Sequence, residues 1–130
     1  MPLVNVDIYH GHTSEYKKAI LEGIHSALVS SFRIPDEDRS QILRAHSEED
    51  FERAGGRSKE YTIIEIKIFK GRTREAKRQL YRLIVENLGR NPGISPTDVL
   101  ITLTESDLVN WGVSGGKCAD EVDLGFDVNV

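Results

Sequence analysis

Apolar and polar residues alternate along two short stretches of this chain, and each stretch is followed by a longer segment of helical periodicity. The alternating stretches run from Leu3 to Ile8 and from Ile63 to Ile68. A period of two with a high β-branched content indicates half-buried strands. In the segments that follow, apolar residues recur at three- and four-residue spacing, which predicts amphipathic helices. The apolar positions are Tyr16, Ile20, Ile24, Ala27, Leu28 and Phe32 in the first segment, and Ala76, Leu80, Leu83, Ile84 and Leu88 in the second.

The two halves of the chain resemble each other at a constant offset of 60 residues. VNVDIYHGHTSEYKK, which starts at Val4, aligns without gaps on IEIKIFKGRTREAKR, which starts at Ile64. Thr13 and Thr73 stand where helix N-caps are expected, and each is followed by a glutamate in the first turn. The chain is therefore predicted to contain two copies of one supersecondary unit.

Each copy reads as strand, helix, strand, with second strands predicted at 40–46 and 99–105. A helical crossover between neighbouring strands makes a right-handed βαβ unit with parallel strands. The predicted fold class is α/β (α+β): a tandem βαβ repeat forming a four-stranded mixed sheet with both helices on one face. We expect one domain over 1–130, with repeats at about 2–46 and 61–105, a linker at 47–60 and a tail at 106–130. The uncovered sheet face predicts a homo-oligomer.

Composition excludes several classes of protein. The 130 residues are 38% hydrophobic and 29% charged, with a formal net charge of −4. This acidic balance argues against nucleic acid or an anionic membrane as the partner. The sequence shows no signal-peptide pattern and no spanning apolar run, and its single cysteine, Cys118, fits a reducing compartment. We expect a cytoplasmic protein.

Four unusual residues are predicted to meet at one end of the sheet. If the two units are related by a twofold axis through the sheet, the first two strands run opposite to the last two. Pro2 starts the first strand and Asp38 precedes the second, while Lys70 and Arg72 follow the third, which arrives from the opposite direction. Removal of Met1 would give Pro2 a secondary amine, a group that the second copy cannot provide.

These residue types suit acid–base chemistry on a carboxylate substrate. The amine of Pro2 can accept or donate a proton, and burial beside cations would favour its neutral form. Arg72 offers a planar, two-pronged grip on a carboxylate, and Lys70 adds a point charge. Structural interpretations remain open: Pro2 as an edge residue, Asp38 as a turn residue like Asp98 in the second copy, and both cations as solvated side chains.

The histidines and the cysteine show no catalytic or metal-binding pattern. His10, His12, His25 and His46 lack the spacing of a metal site, so surface or packing roles are expected for them. Cys118 has no base near it and is expected to be inert.

The sequence resembles the tautomerase superfamily, whose members use an amino-terminal proline, and is closer to its malonate semialdehyde decarboxylase group. The resemblance rests on MPLVNVD, IPDEDRSQIL, GRTREAKRQLYRLI and NWGVSGGK, together with the doubled βαβ pattern. It implies a homotrimer, Pro2 as catalytic amine, Asp38 as its acidic partner and Arg72 as the carboxylate binder. Lys70 stands where some relatives carry a second arginine, and Trp111 matches a pocket-wall aromatic that is equally an interface anchor. No metal or organic cofactor is implied.

The resulting expectation is a cofactor-independent enzyme acting on a small oxo-carboxylate. It is either a tautomerase, hence an isomerase, or a malonate semialdehyde decarboxylase-like lyase, and the two reactions need opposite protonation states of Pro2. The alternative is an oligomeric binding or signalling module with vestigial activity. A retained Met1 would favour that alternative, because it would convert the amine of Pro2 into an amide.

Overall fold

The computed structural model describes residues 2–130, so Met1 and its predicted removal lie outside the described residues. The main elements follow the order of the repeat, strand–helix–strand twice. They are β1 (Leu3–Tyr9), α1 (Ser14–Phe32), β2 (Ser40–His46), β3 (Thr62–Phe69), α2 (Arg74–Arg90) and β4 (Val99–Ser106). The tail adds a two-residue pair, β5 (Gly112–Val113) and β6 (Lys117–Cys118).

The four long strands form one mixed sheet in the order β2-β1-β3-β4. Within each repeat the strands are parallel, with Leu3 opposite Ser40 and Thr62 opposite Val99. The repeats join through the antiparallel pair β1–β3, where Leu3 lies opposite Lys67. The predicted arrangement of two βαβ units with opposite strand directions is therefore confirmed.

Both helices cover one face of this sheet, as predicted. Side chains at alternate positions of β1 and β3, including Val6 and Ile66, are buried against the apolar stripes of α1 and α2 in one cluster. The helices pack closely at Gly23, where a Cβ atom would lie 3.0 Å from Leu88. The amide of Asn87 adds a hydrogen bond of 2.9 Å to the Gly23 carbonyl. A larger residue at position 23 would require the side chain of Leu88 to shift.

The repeat extends beyond the sheet into its connections. The hydroxyl oxygens of Thr13 and Thr73 each accept a hydrogen bond of 3.1 Å from the backbone three residues later, so both N-caps are confirmed. Short 3₁₀ turns follow β2 and β4 at matching positions, 48–50 and 108–110. Phe51 and Trp111 come directly after these turns, which makes them counterparts as well.

The C-terminal segment 122–130 returns to the start of α2. The carbonyl of Val130 accepts hydrogen bonds from the backbone N–H and the hydroxyl of Thr73, at 3.2 and 3.0 Å. Gly71 allows this approach: its φ is +138°, and a Cβ atom there would lie 2.8 Å from the Val128 carbonyl oxygen. The tail therefore covers the end of the sheet at which β3 finishes.

In the described part of the chain, neither α1 nor α2 nor any shorter helix has the length and apolar character needed to cross a membrane.

The two N-caps offer a matched test of tail docking. Thr13→Ala removes only a cap, so we expect a loss of about 1 kcal/mol in the free energy of unfolding. Thr73→Ala also removes the bond to Val130 and should cost roughly 0.5 kcal/mol more. Urea unfolding at one fixed protein concentration measures both losses. Equal losses would contradict the docking of the tail on α2.

Candidate active site

A cavity of about 320 Å³ opens at the end of the sheet where β1 begins and β3 ends. The loop before β2, the end of β3, the β5–β6 hairpin and the tail all contribute to its wall. The lining residues are Pro35, Glu37, Asp38, Phe69, Val113, Ser114, Val122, Asp123, Leu124 and Phe126. Acidic groups and apolar surface are therefore combined in a space that suits a small molecule.

Sheet register places Pro2 at this end. Pro2 is buried and directly precedes Leu3, which pairs with Ser40 on one side and Lys67 on the other. Asp38 comes two residues before Ser40, and Phe69 two residues after Lys67. The structure thus brings the chain segments of Pro2, Asp38 and Phe69 to one end of the sheet.

Arg72 is buried beside the cavity rather than solvated. Its side chain lies between two aromatic rings, 5.0 Å from the centroid of Phe32 and 5.8 Å from that of Phe126. Its Nη1 donates a hydrogen bond of 3.0 Å to the Phe69 carbonyl. Its Nε is buried and has no hydrogen-bond partner among the described residues. One edge of the guanidinium therefore keeps an unused donor.

The charge of Arg72 is held in an unfavourable environment. Burial lowers the pKa of Arg72, while the carboxylates of Glu105, Asp127 and Asp38 act in the opposite direction. An arginine stays protonated under such a shift because its ordinary pKa is so high. The site thus contains a desolvated cation whose field is only partly compensated by nearby acids.

Trp111 supports the cavity wall from behind, and Lys70 stands outside it. The indole of Trp111 packs edge-to-face on Phe69, with centroids 4.8 Å apart, and its Nε1 donates to the Ser106 hydroxyl at 2.8 Å. Lys70 is exposed, and its backbone N–H bonds to the Ser106 carbonyl at 3.0 Å. Lys70 is not among the residues that line the cavity. Substrate binding by Lys70 and Trp111 stays a prediction.

The opposite end of the sheet carries the counterpart residues in a different arrangement, and it has a cavity of its own of about 710 Å³, lined by Tyr9 and residues of the segment 48–57. Asp98, the counterpart of Asp38, is buried and accepts hydrogen bonds from the backbone N–H and hydroxyl of Ser58, at 2.8 and 2.6 Å. His12, the counterpart of Arg72, stacks on Tyr16 with centroids 3.8 Å apart. Burial raises the pKa of Tyr16 to about 12, and Glu60 and Asp98 add to the shift. Asp98 and His12 are thus engaged by neighbouring side chains, while the buried hydroxyl of Tyr16 has no hydrogen-bond partner among the described residues.

The sequence pattern did not indicate the hydrogen bond that His25 forms in the structure. His25 was expected to have a surface or packing role, yet it is fully buried and bonds to the loop that carries Asp38. The available signal was its lack of a counterpart: position 85, sixty residues later, is valine.

A possible metal-ligand group among the described residues lies in the tail. Single ligand atoms of Cys118, Asp120 and Glu121 all lie within 4.8 Å of one another. The two carboxylates are exposed, and such surface groups commonly occur without a metal. We assign no role to them.

Comparison with known proteins identifies the family. Two family models described as "Tautomerase enzyme" match the chain, one over residues 38–114 and the other over residues 2–61. The chain belongs to the tautomerase superfamily. A probable tautomerase of Bacillus subtilis (strain 168), YrdN, is 31% identical over 122 residues, which cover 90% of this chain and 94% of that protein. Because both family models describe enzymes, membership in this superfamily indicates that the protein is an enzyme.

Solved structures agree with this assignment. A malonate semialdehyde decarboxylase, studied as a structural basis for decarboxylase and hydratase activities, has a TM-score of 0.82 and 29% identity, covering 89% of this chain and 93% of its own. FG41 malonate semialdehyde decarboxylase, inhibited by 3-bromopropiolate, has a TM-score of 0.76 and 34% identity, with coverage of 89% and 92%. A fused 4-OT, solved as a symmetric trimer, has a TM-score of 0.81 and 28% identity, with coverage of 91% and 96%.

The cover over Arg72 in this superfamily member can be tested chemically. Phe126→Ala removes one ring from the guanidinium of Arg72, so phenylglyoxal should modify Arg72 several-fold faster than in the unchanged protein. Peptide mass spectrometry measures the rate at each arginine. The exposed Arg33 provides the internal control and should react at the same rate in both proteins. An unchanged rate at Arg72 would show that Phe126 does not shield it.

Proposed function

We propose that this protein is a cofactor-independent enzyme that uses the amine of Pro2 on a small oxo-carboxylate. The reaction is keto–enol tautomerisation or decarboxylation of the malonate semialdehyde type. The observation that carries the proposal is the cavity beside Asp38, at the sheet end where β1 begins, with the buried Arg72 next to it. At the counterpart end, the position of Arg72 is taken by His12, which stacks on Tyr16, and the position of Asp38 by Asp98, which is bonded to Ser58.

The two ends of the repeat explain why an amine belongs here. At the second end, Ser58 lies four residues before Thr62 and donates two hydrogen bonds to the Asp98 carboxylate. At the first end, the counterpart of Thr62 is Pro2. Removal of Met1 would give Pro2 a secondary amine on the side of the sheet where Asp38 lies. A carboxylate that fixes a backbone segment in one copy then faces a reactive base in the other.

Arg72 is suited to bind the substrate carboxylate through its unused edge. Nη1 is engaged by the Phe69 carbonyl, whereas Nε finds no hydrogen-bond partner within residues 2–130. A carboxylate that approaches Nε and the neighbouring Nη2 would form two parallel hydrogen bonds and satisfy a buried donor. Phe126 covers this region, so access requires a shift of the tail. Glu37 and Asp123 on the cavity wall leave Arg72 as the group that attracts an anion.

Two reactions fit these groups. In tautomerisation, neutral Pro2 takes a proton from carbon or oxygen and returns it to the other atom, while Arg72 stabilises the enolate. In decarboxylation, protonated Pro2 hydrogen-bonds to the 3-carbonyl oxygen. The carbon–carbon bond to the carboxylate breaks, carbon dioxide leaves, and its bonding electrons form an enolate that is then protonated. Asp38 orients the amine and the substrate, and Lys70 adds a positive charge.

We further infer that the enzyme is a homotrimer. Ile42 and Leu100 lie on the sheet face away from the helices and remain 46% and 44% exposed. Large apolar side chains on an uncovered face favour association. The fused 4-OT relatives solved as trimers support the same assembly.

The assignment is tested by steady-state kinetics on phenylenolpyruvate ketonisation and malonate semialdehyde decarboxylation. On whichever substrate the unchanged enzyme uses, Pro2→Ala should lower kcat/KM at least about tenfold, because a mobile primary amine replaces the rigid secondary amine of proline. Arg72→Ala should raise KM and lower kcat/KM by roughly 100-fold, because it removes the bidentate contact. Lys70→Ala should have a smaller effect because its side chain lies outside the cavity.

The repeat supplies matched controls for these variants. Thr62→Ala and His12→Ala change the counterpart positions and should leave kcat/KM within about twofold. Intact mass of the purified protein establishes whether Pro2 is the first residue. Full activity in Pro2→Ala, or no turnover of either substrate by a protein that lacks Met1, would reject the mechanism. The second outcome would favour a binding module instead.

A further inference from the structure

His25 is a buried histidine whose hydrogen bond has a defined direction. The residue lies on α1 and is only 1% exposed. Its Nε2 lies 2.7 Å from the backbone carbonyl oxygen of Asp36 and 3.3 Å from the Asp36 carboxylate. A carbonyl oxygen only accepts, so Nε2 carries the proton and donates. The imidazole thereby fixes a point of the main chain that lies outside the helix.

The loop fixed by His25 is the one that delivers Asp38 to the cavity. It leaves α1 at Arg33, which adopts a left-handed conformation with φ of 54°, and Ile34 is then buried in the core. Past Asp36, the Asp38 N–H bonds to the Pro35 carbonyl at 3.0 Å. Asp38 is therefore two residues from the hydrogen bond to His25, inside the same tight turn.

The second repeat shows that this attachment is absent from the shared architecture. The counterparts of His25 and Asp36 are Val85 and Pro96, which cannot form such a bond. The loop after α2 is held instead by backbone hydrogen bonds from Gly93 and Ile94 to the Leu88 carbonyl, at 2.9 and 2.8 Å. Its acid, Asp98, is fixed directly by Ser58. Within residues 2–130, the first copy alone shows a hydrogen bond from a side chain of its helix to the loop that carries the acid.

We propose that His25 is a positioning residue that holds the Asp36 carbonyl and so sets Asp38 against the amine of Pro2. The inference rests on the proposed function and adds a residue to it. At the second end, Asp98 is immobilised by its own hydrogen bonds to the protein. At the first end, the hydrogen bond from His25 adds an attachment of the backbone two residues before the acid. A shift of about 1 Å in such a group is enough to lower turnover strongly.

The test compares two replacements of the imidazole. His25→Leu introduces an apolar side chain of similar size and so removes the donor. His25→Gln keeps an N–H near the position of Nε2. On whichever substrate the unchanged enzyme uses, His25→Leu should lower kcat about tenfold with KM within about twofold. His25→Gln should restore kcat to within about threefold of the original value. Val85→Leu, at the counterpart position, serves as the control and should change neither constant.

A double-mutant cycle separates positioning from a general loss of structure. If His25 acts through Asp38, His25→Leu should add less than about a twofold loss in an Asp38→Asn background. A tenfold loss in both backgrounds would overturn the inference. So would a His25→Leu enzyme with unchanged kcat while Pro2→Ala and Arg72→Ala are impaired, a result that leaves the proposed function standing.

Amide hydrogen exchange tests the attachment without relying on catalysis. The Asp38 and Arg39 amides should exchange roughly tenfold faster in His25→Leu than in the unchanged protein or in His25→Gln. Unchanged exchange in His25→Leu would overturn the inference whatever the assays give. Faster exchange in a protein that turns over neither substrate would support the loop attachment and reject only the proposed reaction.

Discussion

The antiparallel pairing of β1 with β3 is the constraint on which the site depends. Within each βαβ unit the strands are parallel. Both strands of a unit therefore begin at one end of the sheet and finish at the other. Joining two units head to tail through Leu3 and Lys67 places the start of β1 beside the end of β3. Pro2 and Asp38 from one unit then meet Phe69 and Arg72 from the other. A parallel junction would leave the cation at the wrong end.

Duplication creates two such junctions, and the molecule treats them differently. Phe51 stacks on Tyr9 with centroids 4.4 Å apart, just as Trp111 packs on Phe69, so the aromatic support is common to both ends. The remaining counterparts have diverged. His12, which stacks on Tyr16, corresponds to the buried Arg72. Asp98, which is bonded to Ser58, corresponds to Asp38 on the cavity wall. The shared features are therefore structural, and the differences lie at the residues to which we assign the proposed chemistry.

Much of this arrangement follows from local sequence. Strand alternation, helical periodicity and the threonine caps are short-range signals. Each signal occurs again 60 residues later, so the prediction for one copy supports the prediction for the other. Other features depend on contacts across long sequence separations. Arg72 has the sequence context of a solvated residue, and only the return of the tail, more than fifty residues later, buries it beneath Phe126. His25 lies among the buried residues of α1, but its hydrogen-bond partner is the carbonyl of Asp36 in the following loop. Neither contact has a periodic pattern to reveal it.

The unpaired Nε of Arg72 has a consequence for how stability is distributed in the molecule. A buried donor without an acceptor costs free energy, and so does the empty volume beside it. The opposite end bears a similar cost, because the hydroxyl of Tyr16 is also buried without a hydrogen-bond partner among the described residues. The two ends therefore differ less in the number of unsatisfied donors than in their kind: at the end covered by the tail, the donor belongs to a cation. An anion that accepted a hydrogen bond from Nε of Arg72 would remove this cost, so its binding would also stabilise the folded state.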